Sequence, residues 1–91
     1  MVSFSEALVA AKEGKKISRQ GWNGKGMWVS LQKGYPEGVM ANKNSQEAYG
    51  VPEGTVIKVL PYLVMKTVDG DFVPWLASQT DILAEDWGIV E

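Results

Sequence analysis

The sequence contains neither cysteine nor histidine, and these two absences exclude most of the common catalytic and metal-binding chemistries. Without cysteine there is no disulfide, no thiol nucleophile and no thiolate metal site. Without histidine there is no Ser–His or Cys–His pair and no ordinary proton shuttle at neutral pH. A zinc site would need carboxylates alone, which is rare, and carboxylate chemistry with magnesium is the remaining option. We therefore expect no catalytic residues, no metal, no cofactor and no enzymatic activity.

The chain also lacks a basic surface and a long apolar run. Its net charge is −2, and its cationic residues are scattered apart from one cluster, Lys12, Lys15, Lys16 and Arg19. A protein that reads DNA or RNA normally presents a basic face, so we expect no nucleic-acid polymer as a partner. No apolar stretch approaches the roughly 20 residues of a membrane span, and the N-terminus does not resemble a signal peptide. These features predict a cytoplasmic protein that contacts no membrane.

With 91 residues, of which 45% are hydrophobic, the chain is long enough for one domain, 1–91, with a modest core. A lone domain of this size buries only about 60–65% of its extended-chain surface. Neither a disulfide nor a metal is available to strengthen it, so self-association is the expected additional support.

The hydrophobic pattern predicts an α+β fold. Ser3 and Glu6 form a capping-box pattern, followed by an apolar stripe at helical spacing: Phe4, Ala7, Leu8 and Ala11. Short strands are predicted at 15–19, where Ile17 points inward, and at 27–32, 55–60, 62–67, 71–73 and 86–90, with a short helix at 78–84. The Asp69–Gly70 pair predicts a hairpin turn between 62–67 and 71–73. The expected architecture is a small twisted antiparallel β-sheet with an N-terminal amphipathic helix and a short C-terminal helix, assembled as a homo-oligomer.

Residues 33–54 show no clear period and contain prolines, asparagines and glycines. This composition predicts a long loop, which in a compact domain is usually functional or mobile. Its few apolar residues, at 39–41 and Tyr49, are suited to packing on a partner subunit.

Four tryptophans in a chain of this length are many, and two of them have polar neighbours. Trp22 and Trp75 lie at predicted loop edges beside amides and glycines, which is typical of a platform for stacking a planar group. The alternative is that both rings cover the edges of a small core. Trp28 and Trp87 are interpreted as structural residues.

The second candidate motif is Ser78–Gln79–Thr80–Asp81, at the start of the predicted C-terminal helix. Hydroxyls, an amide and free N–H groups at a helix start can bind a phosphate or a ribose, and Asp81 can accept from ribose hydroxyls. Ordinary N-capping by Ser78 is the alternative. Arg19 is the natural bidentate partner for a phosphate.

Three segments, residues 19–27, 61–67 and 73–87, together with the N-terminal helix, resemble the second family of Thoeris anti-defence proteins. The run Trp-Leu-Ala-Ser-Gln-Thr-Asp at 75–81 is the most specific part, and the resemblance covers nearly the whole chain. Residues 33–54 are the least family-like stretch.

The resemblance implies a phage protein that acts in the cytoplasm of the infected bacterial cell. It would be a homotetramer that binds a cyclic ADP-ribose isomer, such as 1''-3' glycocyclic ADP-ribose, and holds it without degrading it. The implied ligand-binding residues are Trp22, Asn23, Trp75, Ser78, Gln79, Thr80 and Asp81, with Arg19 added from the phosphate argument. A second site for cyclic dinucleotides is possible in the family, and Lys25 and Tyr49 are the candidates here.

Two other functions are compatible with the same residues. One is a protein–protein adaptor that inhibits a host defence protein directly, with tryptophans as interface hot spots. The other is a carboxylate-dependent nucleotide hydrolase, although no convincing acid–base pair is found.

Overall fold

The computed structural model describes residues 1–22 and 25–90, which form three helices and seven strands in a single α+β arrangement. In chain order these are α1 (Phe4–Lys12), β1 (Lys16–Arg19), β2 (Trp28–Gln32), β3 (Tyr35–Met40), α2 (Lys43–Tyr49), β4 (Val56–Val59), β5 (Tyr62–Lys66), β6 (Phe72–Pro74), α3 (Gln79–Leu83) and β7 (Trp87–Val90). The predicted fold class is confirmed. Within the described ranges, no helix has the length and apolar character needed to cross a membrane.

Five strands form the main sheet in the order β6-β5-β2-β1-β7, and every neighbouring pair is antiparallel. Ile17 in the middle of β1 lies opposite both Val29 and Ile89. A tight turn at Asp69 and Gly70 joins β5 to β6, and Gly70 has a φ of +89°. This turn is the predicted Asp-Gly hairpin, and a positive φ explains the glycine.

Helix α1 covers one face of the main sheet and forms the core with it. The Ser3–Glu6 capping box is present at its start, as predicted. The small side chains on its buried side allow close approach to the sheet. The core cluster consists of Ala7, Ala10, Ala11, Ile17, Val29, Met65 and Trp87.

The prediction of a long loop at residues 33–54 is wrong, because this stretch contains β3 and α2. Asn42 and Gly50, which suggest a loop by composition, are instead the N-cap and the left-handed C-cap of α2. Helix α2 has no buried residue, so its sequence lacks an apolar stripe. Strand β3 is mostly exposed and contains Pro36 and Gly38, so period-2 alternation is absent there too.

Strands β3 and β4 pair with each other and form a separate two-stranded sheet. With α2 they make a second lobe, residues 35–59, and Ala41 is the one residue of this lobe that belongs to the buried hydrophobic residues of the described chain. The molecule measures 46 × 26 × 25 Å and has a radius of gyration of 15.5 Å. A compact chain of this length would have about 12 Å, so the lobe extends beside the main sheet and does not cover it.

The two tryptophans interpreted as structural have different environments. Trp87 is fully buried in the core, as expected. Trp28 lies half-buried, its ring meets that of Phe72 edge-on at 5.9 Å, and Nζ of Lys16 lies 4.8 Å from its centroid.

Candidate functional site

The two sequence motifs meet at the end of the sheet where β1 ends and β7 begins. The rings of Trp22 and Trp75 lie 6.2 Å apart at an angle of 71°. Both pack edge-on against the buried ring of Trp87, at 5.3 and 6.0 Å. Each of the two residues is half-buried and packs against the core, so the rings cover a core edge and remain partly exposed. A planar group can lie parallel to only one of two rings inclined at 71°.

Helix α3 brings the second motif to the same place. Ser78 Oγ accepts from the Asp81 N–H at 3.1 Å, and Oδ2 of Asp81 accepts from the Ser78 N–H at 3.4 Å. The capping interpretation of Ser78 is therefore confirmed, and these groups satisfy each other. Gln79 and Thr80 follow with exposed side chains, so the polar atoms they offer are open to a ligand.

Asp81 links this helix to the aromatic cluster. Its Oδ1 accepts from the indole Nε1 of Trp22 at 3.2 Å, and its backbone carbonyl accepts from Nε1 of Trp87 at 2.8 Å. Asp81 thus connects α3 to the Trp22 segment and to β7. The indole N–H of Trp22 already donates to Asp81, so the side chain can offer a ligand its ring surface but no hydrogen-bond donor.

Arg19 lies in the middle of the site and is engaged by two carboxylates. Its Nη1 donates to Oδ1 of Asp81 at 2.9 Å, and its Nε donates to Oδ1 of Asp86 at 2.8 Å. Asp86 also accepts from the backbone N–H of Gly21, at 2.7 Å from Oδ2. The two carboxylates and the guanidinium are mostly shielded from solvent, with exposed side-chain fractions of 14% for Asp81, 25% for Asp86 and 16% for Arg19.

These contacts determine the charge state of the site. Hydrogen bonding from Arg19 lowers the pKa of Asp86 below its usual value, and burial opposes this only in part. Burial would raise the pKa of Asp81, but hydrogen bonds from Arg19, Trp22 and Ser78 outweigh it and lower the pKa. Both carboxylates are therefore ionised at neutral pH and accept hydrogen bonds, and neither can act as a general acid.

The structure brings seven of the eight predicted ligand residues to the region of Trp22 and α3: Arg19, Trp22, Trp75, Ser78, Gln79, Thr80 and Asp81. Asn23 lies outside the described residues. Gly21 and Asp86 were missed as site residues, because only the pairing of β1 with β7, with Arg19 opposite Trp87, brings Asp86 to Arg19 and to the N–H of Gly21. Among the described residues no cluster of three or more acidic side chains could hold a metal ion.

The predicted second site falls elsewhere. Tyr49 lines a groove of about 560 Å³ between the second lobe and the main sheet, with Tyr35, Tyr62 and Asn42 also on its walls. Lys25 is not among the described residues that line this groove. The structure therefore does not bring Lys25 and Tyr49 to one groove.

Comparison with known proteins gives the same family that the sequence motifs resemble. The family model described as the Thoeris anti-defense 2-like domain matches residues 2–90. The chain belongs to the Thoeris anti-defense 2-like family. It is also 39% identical over 90 residues to Thoeris anti-defense 2 of Bacillus phage SP01, covering 98% of this chain and 94% of the relative. Membership of the Thoeris anti-defense 2-like family supports an anti-defence role.

Proposed function

We propose that this chain binds a cyclic ADP-ribose isomer and sequesters it without cleavage, so that a Thoeris-type defence effector receives no signal. One observation carries the proposal. Trp22 contacts Asp81 of α3, 59 positions further along the chain, so that two indole rings and exposed polar side chains lie in one partly exposed site. The family membership supports the anti-defence context, with the protein acting in the cytoplasm of a phage-infected bacterial cell.

The chemistry of the site suits a nucleotide with two riboses. An adenine can stack on the open face of Trp22 or Trp75, a contact worth about 1–3 kcal/mol. Thr80 and Gln79, both exposed, can hydrogen-bond ribose hydroxyls or phosphate oxygens. Stoichiometric capture of a signal requires roughly nanomolar affinity, or about −12 kcal/mol. Rings already held by packing and hydrogen bonds favour such affinity, because little order is lost on binding.

Sequestration is favoured over hydrolysis by the state of the carboxylates. The two acidic side chains of the site, Asp81 and Asp86, are both bonded to Arg19 and have lowered pKa values. A hydrolase that works by carboxyl general-acid catalysis would need one carboxyl group able to donate a proton near neutral pH. The sequence contains no histidine or cysteine, so neither an imidazole nor a thiol can take this role.

We further propose that the functional unit is a homotetramer. The second lobe buries little of its own apolar surface, and several of its large side chains are exposed: Tyr35, Met40, Tyr49 and Val56. An isolated two-stranded sheet is marginally stable in water, so burial of this surface against other copies of the chain would stabilise it. Native mass spectrometry of the purified protein tests the stoichiometry, and a monomer at micromolar concentration would contradict this proposal.

The binding proposal is tested by a capture-and-release experiment. Purified protein is mixed with 1''-3' glycocyclic ADP-ribose, the mixture is filtered, and the filtrate is analysed by liquid chromatography and mass spectrometry. We expect depletion of the compound from the filtrate and recovery of the intact compound after heating the retained protein. Recovery of ADP-ribose would support the hydrolase, and no depletion together with capture of one host protein would support the adaptor.

Two variants relate capture to this site. Thr80→Ala removes an exposed hydroxyl at the start of α3 and should weaken capture by about tenfold, the loss expected for one hydrogen bond to a charged group. Glu13→Ala, at an exposed position just after α1 and outside the second lobe, is the control and should capture like the unmodified protein. Equal capture by the two variants would place the ligand elsewhere.

A second candidate site is the groove beside Tyr49. Three tyrosines and Asn42 line its volume of about 560 Å³, which lies in the range typical of small-molecule sites. We propose that it accepts a cyclic dinucleotide. Calorimetric titration with a cyclic dinucleotide after saturation by the cyclic ADP-ribose isomer should show a further binding event, which Tyr49→Ala removes. Competition between the two compounds would contradict a separate site.

A further inference from the structure

The guanidinium of Arg19 joins three parts of the chain. Arg19 ends β1, Asp81 belongs to α3, and Asp86 immediately precedes β7. Its Nε and Nη2 both bond Asp86, at 2.8 and 3.5 Å, while Nη1 bonds Asp81 at 2.9 Å. Three of the five N–H groups that an arginine carries are directed at carboxylates, and the side chain is largely shielded from solvent.

Each of the two carboxylates that bond Arg19 also accepts a hydrogen bond from the predicted ligand-binding segment, Gly21–Trp22. Oδ1 of Asp81 accepts from Arg19 and from the indole of Trp22. Oδ2 of Asp86 accepts from the backbone N–H of Gly21. A Cβ at Gly21 would lie 2.8 Å from that oxygen, so the close approach requires glycine. Arg19 is thus connected through Asp86 to the backbone of Gly21, and through Asp81 to the indole ring of Trp22.

The local charge argues against direct phosphate binding by Arg19. Two ionised aspartates lie within 3 Å of one guanidinium, so the group of three carries a net charge of −1. A bidentate grip on a phosphate requires a free pair of parallel N–H groups. Here the Nε–Nη2 edge is directed at Asp86, and Nη1, which belongs to the other edge, donates to Asp81.

We infer that Arg19 is a positioning residue, which orients Asp81, Gly21 and Trp22 for ligand binding and does not itself bind the phosphate. The inference rests on the proposed function for its effect on affinity, and on the structure alone for its effect on Trp22. It assigns Asp86 a role in the site, as the residue through which Arg19 holds Gly21.

Asp86→Asn separates positioning from phosphate binding, because the two roles predict opposite signs. In the amide an NH2 group replaces one of the two carboxylate oxygens and faces either Nε of Arg19 or the N–H of Gly21, which bond different oxygens of Asp86. A positioning role therefore predicts at least tenfold weaker binding of 1''-3' glycocyclic ADP-ribose. If Arg19 bound phosphate directly, removing a negative charge and releasing the guanidinium would strengthen binding of this anion or leave it unchanged. Glu85→Gln is the matched control, since it makes the same charge change at the adjacent exposed residue. It should bind like the unmodified protein.

A measurement without ligand tests the same inference. The chain has four tryptophans, so a ¹⁵N–¹H correlation spectrum contains four indole N–H signals. In Asp86→Asn and Arg19→Lys we expect the Trp22 signal to shift and the Trp28 signal to stay in place. The dispersion of the same spectrum shows whether each variant is folded.

If Asp86→Asn does not fold, Arg19→Lys tests the same inference. Lysine keeps the positive charge but lacks the planar guanidinium donors that bond both aspartates. Affinity within about twofold of the unmodified protein in Arg19→Lys, unchanged or tighter binding in Asp86→Asn, or an unmoved Trp22 signal would overturn the inference. If the unmodified protein does not bind the compound, the proposed function fails. The Trp22 signal then still decides whether Arg19 holds this ring.

Discussion

The indole Nε1 of Trp22 donates a hydrogen bond to Oδ1 of Asp81 at 3.2 Å, across a separation of 59 positions in the chain. The same oxygen accepts from Nη1 of Arg19 at 2.9 Å. The ring of Trp22 also packs edge-on against the buried Trp87. The orientation of this half-open ring therefore depends on an ionised carboxylate as well as on packing, which couples the aromatic part of the site to its charged part.

Trp22→Phe should destabilise the protein through this hydrogen bond. Phenylalanine keeps a ring against Trp87 but cannot donate to Asp81, and we expect the free energy of unfolding in urea to fall by about 1–2 kcal/mol. Trp28→Phe is the control, because it makes the same change in size at a half-buried ring on the sheet. Both variants are measured at the same protein concentration, because the stability of an associating protein depends on it. Equal losses in the two variants would contradict a role for the Trp22 hydrogen bond.

Ile17 and Ile89 are cross-strand partners with different environments. Ile17 is fully buried, whereas Ile89 is 47% exposed. We expect Ile17→Ala to cost about 3–4 kcal/mol of unfolding free energy, because it leaves a cavity under α1. Ile89→Ala should cost about 1 kcal/mol or less, because much of its surface already contacts water. Chemical denaturation of both variants tests this, and a similar loss at the two positions would place the core differently.

Gly34 and Gly50 share a φ of +67° but differ in the space around them. A Cβ at Gly34 would overlap the carbonyl oxygen of Val59 and lie 2.8 Å from that of Leu60, whereas one at Gly50 would meet nothing within 4 Å. Gly50→Ala therefore carries only the backbone strain of a left-handed residue, about 1 kcal/mol. Gly34→Ala also forces β3 and β4 apart.

We expect the Gly34→Ala loss to be on the order of 3 kcal/mol, with faster amide hydrogen exchange in residues 35–59. Thermal and urea denaturation of the two variants provide the comparison. If Gly34→Ala lowers the free energy of unfolding no more than Gly50→Ala does, then Gly34 does not pack closely against the carbonyl oxygen of Val59.

The lowered pKa values of Asp86 and Asp81 predict an acid dependence of stability. The hydrogen bond from Arg19 lowers the pKa of Asp86, and hydrogen bonds from Arg19, Trp22 and Ser78 outweigh the burial that would raise the pKa of Asp81. The unfolded chain takes up protons near pH 4, at higher pH than these folded carboxylates do. Their contribution to stability is complete above about pH 4 and is lost as the pH falls through the lower folded pKa values.

The thermal midpoint should therefore fall as the pH is lowered below about 4. Asp86→Asn should show a shallower decrease, because one of the two carboxylates with a lowered pKa is gone. Glu85→Gln, which neutralises the adjacent exposed residue, should keep the slope of the unmodified protein. Identical slopes in Asp86→Asn and Glu85→Gln would show that Asp86 contributes nothing to the acid dependence.

Much of the fold was predictable because local signals and tertiary contacts agree. The Ser3–Glu6 capping box, the inward-facing Ile17 and the Asp-Gly turn before β6 were all predicted from neighbouring residues and are confirmed. Residues 33–54 were not, because α2 and β3 bury almost no side chains. An element without a buried face leaves no hydrophobic period in its sequence.

The sequence by itself determined the residue types of the candidate site and the absence of histidine and cysteine. It also indicated the two motifs, around Trp22 and Ser78, through local composition. Only the tertiary structure decided that these motifs meet, and that Arg19 bonds Asp81 and Asp86. The physical reason is that these contacts depend on the antiparallel register of β1 and β7. Such a register joins residues that are far apart in the chain, and no local pattern records it.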